Sequence, residues 1–137
     1  MPRMLFVNLP VRDLQKSRTF YEAVGAVNNP QFSDDTSACM VLSDTISVML
    51  LTHAKWATFT AKPISESAKA SAVMLALSFD SRDAVNATAA AAGMAGGKLD
   101  SNPVQDHGFM LVRDVEDPDG HVWEFMWMDP SAMAGQG

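Results

Sequence analysis

The sequence predicts an α+β fold made of two tandem βαβββ modules. Three observations lead to that reading. Hydrophobic periodicity switches twice from strand-like to helix-like, first along residues 5–24 and again along 72–94. Shifting the first unit by 68 positions lays Val11 on Phe79, Asp13 on Ser81 and Gly25 on Gly93. The shift is about half of the 137 residues, so the two halves share one plan.

Leu5, Val7, Leu9 and Val11 alternate as a strand, and Leu14, Ser17, Tyr21 and Val24 then recur at helical spacing. Asp13 suits the exposed amides at the helix start, and Gly25 suits the left-handed residue that closes its end. "ACMVLS" at 38–43 and "ISVMLLT" at 46–52 read as strands, with a third expected around "PQFSD". In the second half "AVMLALSFD" is a strand and "SRDAVNATAAAAGM" an alanine-rich helix, with Ser81 at its start and Gly93 expected at its end. Strands follow in "KLDSNPVQ", "GFMLVRDV" and "HVWEFMWM", the last entered through a tight turn at Asp117-Pro118-Asp119-Gly120. Module one is therefore placed at 1–52, an irregular polar connector at 53–71, module two at 72–130 and a frayed tail at 131–137.

With 47% hydrophobic residues the chain can build one sizeable core, and a single domain is expected. Ten Lys+Arg against 16 Asp+Glu give a net charge of −6 with no basic run, which argues against nucleic acid or an anionic membrane surface and favours a neutral or positively charged ligand. The lone Cys39 excludes an intrachain disulfide and a cysteine-rich zinc site, and reads as a small buried hydrophobe. No apolar run approaches membrane-spanning length, and the amino terminus lacks signal-peptide features, so a cytoplasmic protein is expected. "GMAGGK" lacks the strand–loop–helix setting of a phosphate cradle and reads as helix termination.

The duplicated modules, "LPVRDLQKSRTFYEAVG" near the start and "DPDGHVWE" near the end together resemble the vicinal oxygen chelate superfamily, which includes glyoxalase I, bleomycin-resistance proteins and extradiol dioxygenases. The resemblance covers nearly the whole chain and implies a cleft lined by curved mixed sheets, with helices outside, in a protein that often forms homodimers. It also implies four inward stations that hold metal ligands in metal-dependent members. Here those stations fall on Phe6, Leu50, Met74 and Glu124. Phenyl and isobutyl groups donate no electron pair and a thioether is a poor ligand for hard or borderline cations, so no metal cofactor is expected.

Alternation puts Val122, Glu124, Met126 and Met128 on one side of the last strand and Trp123, Phe125 and Trp127 on the other, which suits the helices. The same reasoning lines the cleft with Phe6, Asn8, Leu50, Thr52, Met74, Glu124 and Met126, an apolar setting with a few polar groups, as in small-molecule pockets. Trp56 and Phe59 are large aromatics in a polar connector and serve either as pocket caps or as packing for that connector. His53, His107 and His121 read as solvent-facing, although His107, with Phe109 behind it, is within reach of the cleft mouth. Glu124 is the one candidate catalytic group, as a general base or an anchor for a basic ligand, or it is a relic paired with an arginine or hydroxyl. The leading expectation is a metal-free binder of a small, largely apolar molecule. The rivals are a lyase, isomerase or dioxygenase acting through Glu124, and an interaction protein acting through Trp56 and Phe59.

Overall fold

Alternating apolar residues in "LFVNLPV" and the helical spacing after them become β1 (Leu5–Val11) and α1 (Leu14–Val24). In this computed structural model, which describes residues 2–66 and 68–134, the order continues with β2 (Val27–Asn29), β3 (Ser37–Val41), β4 (Ile46–Thr52) and a one-turn α2 (His53–Trp56). The second module holds β5 (Met74–Ser78), α3 (Arg82–Met94), β6 (Lys98–Leu99), β7 (Gln105–Asp106), β8 (Met110–Glu116), β9 (Val122–Met128) and a short α4 (Pro130–Ala134).

One sheet has the order β1-β4-β3-β2 and the other β5-β9-β8-β6, with β7 also beside β8. In each the first strand runs parallel to the last, β1 with β4 and β5 with β9. The first module is the predicted βαβββ unit; in the second, the strand expected in "KLDSNPVQ" is split into β6 and β7, both antiparallel to β8. Both helix starts are capped as expected, Asp13 accepting from the Lys16 amide at 3.1 Å and Ser81 from the Ala84 amide at 3.0 Å.

Four local expectations change. "PQFSD" is not a strand: Pro30–Phe32 form a 3₁₀ turn, with Asn29 accepting from the Gln31 amide, and the third strand lies earlier at Val27–Asn29. Gly93 lies inside α3, which runs on to Met94, and the left-handed residue is Gly96 at φ 101°. The connector is not wholly irregular, because the Thr52 hydroxyl accepts from the Lys55 amide and starts α2. The tail begins as a helix at Pro130, and residues 135–137 lie outside the described residues.

The core fills the space between the sheets and α1 and α3. Leu9, Val11, Met40, Val48 and Leu50 enter from the first sheet, and Leu111, Val115, Trp123 and Phe125 from the second. Val85, Ala89 and Ala92 share one face of α3, and the short side chains let α1 pack close against it. Cys39 is buried, as expected.

Hydrogen bonds from the Asp117–Gly120 turn tie the modules together. The Tyr21 hydroxyl donates to Asp117 Oδ2 at 2.7 Å and accepts from Trp123 Nε1 at 2.9 Å, all buried. Asp117 Oδ1 accepts from the Asp119 and His121 amides, and Asp119 accepts from the Arg12 amide at 2.9 Å and the Ser17 hydroxyl at 3.3 Å. Gly120 sits at φ 89°, which closes the turn without a Cβ clash.

Burial, followed by the nearby Asp117 charge, holds the Tyr21 hydroxyl well above its ordinary pKa of 10.0, and burial raises Asp117 above 3.8. Both groups keep their protons more tightly in the folded state. Their contribution to stability is therefore full below the unfolded pKa and is lost as pH rises through the folded one. For Asp117 the loss begins as pH rises above 3.8, and for Tyr21 it begins above pH 10.0. Tyr21 is the only tyrosine, so phenolate absorbance should appear well above pH 10.0 and together with loss of native circular dichroism. A reversible titration near pH 10.0 in folded protein would contradict the network. Tyr21→Phe strips a partner from both Asp117 and Trp123 and should cost about 2–3 kcal/mol in denaturant unfolding.

Candidate functional site

The site follows from how the chain uses the free edge of β1. β1 pairs with β4 on one side only. The Leu5 amide donates to Thr45 O at 2.7 Å, on the β4 side, so the odd-numbered residues turn their backbone groups inward along the ladder. Even-numbered residues turn theirs to the open edge. The Arg12 amide meets Asp119 there, and Pro10 O accepts from His121 Nε2 at 2.9 Å. A carbonyl oxygen only accepts, so that ring nitrogen carries the hydrogen. Pro10 belongs at an edge because it has no amide to give a neighbouring strand.

At Asn8 the edge parts from the second module and a pocket opens. Its volume is about 410 Å³, within the usual range for small-molecule sites. Val7, Leu9 and Pro10 of β1 form one wall and Val73, Leu75 and Val122 another. Trp56 and Ile64 of the connector close over it, with Thr60, Lys62, Ser65, Ser71 and His121 adding polar groups. The cap on α2 fixes the start of the turn that carries Trp56. The Trp56 indole N–H is buried and meets no acceptor among the described residues. An unpaired buried donor costs about 1–3 kcal/mol, so this one is suited to a partner that a ligand supplies.

Of the residues selected from sequence, Asn8 and Trp56 line this pocket. Glu124 lies elsewhere. It is half-buried on the open face of the second sheet, in register with Ala76 of β5 and Asp114 of β8, and Met74 and Met126 share that face. No hydrogen bond or ion pair engages its carboxylate among the described residues, so the arginine or hydroxyl partner of the relic reading is not found. Asp114 is buried and accepts from Asn102 Nδ2 at 2.6 Å. Phe6 and Met74 are more than half exposed, at 52% and 58%.

Leu50 and Thr52 are placed differently from the expectation. Leu50 pairs in register with Leu9 and Thr52 with Val11, so both fall on the helix-facing side, and Leu50 is fully buried in the core. Met49 and Leu51 hold the positions opposite, in register with Asn8 and Pro10. Phe59 is exposed beneath the Lys55 ammonium at 5.8 Å. His107 and Phe109 are exposed neighbours on the β7–β8 loop, 6.2 Å apart, and neither lines the pocket. His121 is not solvent-facing but half-buried against β1. Sequence reasoning also missed Asp114, although two acids one strand apart in register are visible once β8 and β9 are paired across the turn.

The donor set does not fit a catalytic divalent cation. Phe6 and Met74 offer no hard donor, Leu50 faces away, and its replacement at that station, Met49 or Leu51, is no better. Among the described residues no group of three or more His, Cys, Asp or Glu is arranged to hold an ion.

This topology and these paired modules are those of a known family. The chain belongs to the Glyoxalase/Bleomycin resistance protein/Dioxygenase superfamily, whose family model matches residues 3–125. Its fold is similar to a glyoxalase-related enzyme from Fulvimarina pelagi, with TM-score 0.76 and 21% identity over 93% of this chain and 88% of that one. A hypothetical protein from S. aureus aligns with TM-score 0.74 and 24% identity, covering 93% of this chain and 95% of that one. The fosfomycin resistance protein FosX from Mesorhizobium loti aligns with TM-score 0.67 and 15% identity over 99% and 98%. At these identities the likeness establishes the fold. Among curated proteins none matches the sequence. Among the described residues no helix is long and apolar enough to cross a membrane.

The two placements separate by stability. Leu50→Ala should cost about 2–5 kcal/mol in urea unfolding, as for a buried leucine, and Phe6→Ala less than about 1 kcal/mol. Equal losses would mean that the faces of β1 and β4 are assigned wrongly.

Proposed function

We propose that this protein binds a small, largely apolar organic molecule, without a divalent metal, in the pocket between β1, β5 and the connector. The observation that carries this reading is the Trp56 indole N–H, buried without an acceptor among the described residues beside an apolar pocket of about 410 Å³. Apolar walls supply affinity by losing contact with water, and a few polar groups set the orientation of what enters. Among the described residues no hydrogen bond pairs a pocket hydroxyl with His121, whose Nε2 is taken by Pro10 O, and this favours binding over chemistry there. Homodimer formation is part of the proposal. Met4, Leu5, Phe6, Val73 and Met74 expose apolar surface along β1 and β5, two strands whose outer edges carry no further strand.

A second reading has its own observation. Glu124 has no partner among the described residues and stands opposite Asp114 in the ladder, an arrangement that like charges disfavour unless something lies between or beside them. An enzyme of the lyase or dioxygenase type acting through Glu124 as a general base would use that open face.

Thermal-shift screening of uncharged and charged aromatic compounds, followed by calorimetry on the hits, decides between them. With the pocket as the site, Trp56→Ala weakens binding at least tenfold, an expected cost for truncating a buried aromatic anchor, while Glu124→Gln and dialysis against EDTA leave Kd unchanged. Loss of binding in Glu124→Gln with Trp56→Ala unaffected would move the function to the sheet face.

A further inference from the structure

We infer that the ligand of this pocket is an anion, an apolar molecule carrying a carboxylate, and this rests on the reading that the pocket is the binding site. The chain as a whole is acidic, with 16 Asp+Glu against 10 Lys+Arg. The pocket reverses that balance. No aspartate or glutamate lines it, and its titratable side chains are Lys62 and His121. The nearby Glu66 is turned to Lys69, 3.4 Å away.

The polar groups that bear on the pocket are rich in donors. Lys62 is exposed at the pocket wall and joins no ion pair among the described residues, so its ammonium is available as a point charge. Strand alternation directs the Asn8 N–H, together with its carbonyl, to the open edge of β1, where no strand takes them up. The Trp56 indole has a donor and no acceptor. A carboxylate offers two acceptor oxygens, and hydrogen bonds to an ionised acceptor are about twice as strong as neutral ones. An ammonium ligand would face Lys62 with no carboxylate in the pocket wall to oppose it. The positively charged ligand favoured by net charge alone is therefore the wrong choice for this pocket, because screening confines each charge to about 8–10 Å and local groups decide.

Three probes of one shape test this in the intact protein: 2-naphthylacetate, 2-naphthylacetamide and 2-(2-naphthyl)ethylammonium, titrated by calorimetry at pH 7. The carboxylate is expected to bind about tenfold or more tighter than the ammonium, with the amide between them. Lys62→Met should bring the carboxylate close to the amide and leave the amide little changed. Trp56→Phe, which keeps the ring and deletes the donor, should weaken carboxylate and amide alike. Equal binding of all three probes with dependence on Trp56 would overturn the anion inference while leaving the pocket as the site. Binding that ignores Trp56, or no binding by any probe at millimolar concentration, would overturn both.

Discussion

The free edge of β1 is the constraint on which the molecule turns. A strand edge left bare exposes backbone donors and acceptors that must find partners or water. Here the even-numbered residues from Pro10 to Arg12 find them in the second module, through His121 and Asp119. Asp117 orders that turn by accepting from the Asp119 and His121 amides, and Tyr21 holds Asp117 from α1. Breaking one link removes partners from others, since each group in the chain serves two neighbours. The docking also has a limit. Past Asn8 the edge has no partner strand, and the connector has to cross the gap, which leaves a pocket walled by β1, β5 and Trp56.

Burial and charge divide the molecule into two chemically distinct surfaces. The open face of the second sheet sets Glu124 opposite Asp114 among methionines and alanine. The pocket between β1, β5 and the connector has donors and a lysine and no acid. Net charge averages over both and describes neither. The superfamily supports many chemistries on one scaffold, and a fold shared with an antibiotic resistance protein and a glyoxalase-related enzyme leaves the choice to the site.

Much of the fold was legible because its signals are local. Alternation in "LFVNLPV", the helix-start residues Asp13 and Ser81 and the Asp-Pro-Asp-Gly turn each act within a few residues, and all three are where the sequence puts them. Gly93 misled because a repeat offset carries no information on helix length: α3 runs 13 residues against 11 in α1, and Gly96 takes the left-handed turn. Leu50 misled for a different reason. "ISVMLLT" is apolar on both faces, so period two divides its residues into two sets without saying which set faces the helices. Only the pairing of Leu50 with Leu9 decides that.

The site was less legible than the fold. Trp56 stood out as a large aromatic in polar sequence, yet what it covers depends on tertiary docking of the connector, which no spacing encodes. His121 looked like a turn residue until Pro10 O, distant in sequence, became its partner. The most direct measurement is a crystal structure of the protein purified without chelator and soaked with a ligand found by screening. Density bounded by Val7, Trp56 and Leu75, and no ion within coordination distance of Glu124, is the expected result. A ligand or metal ion held on the Glu124 face above an empty Trp56 pocket would contradict it.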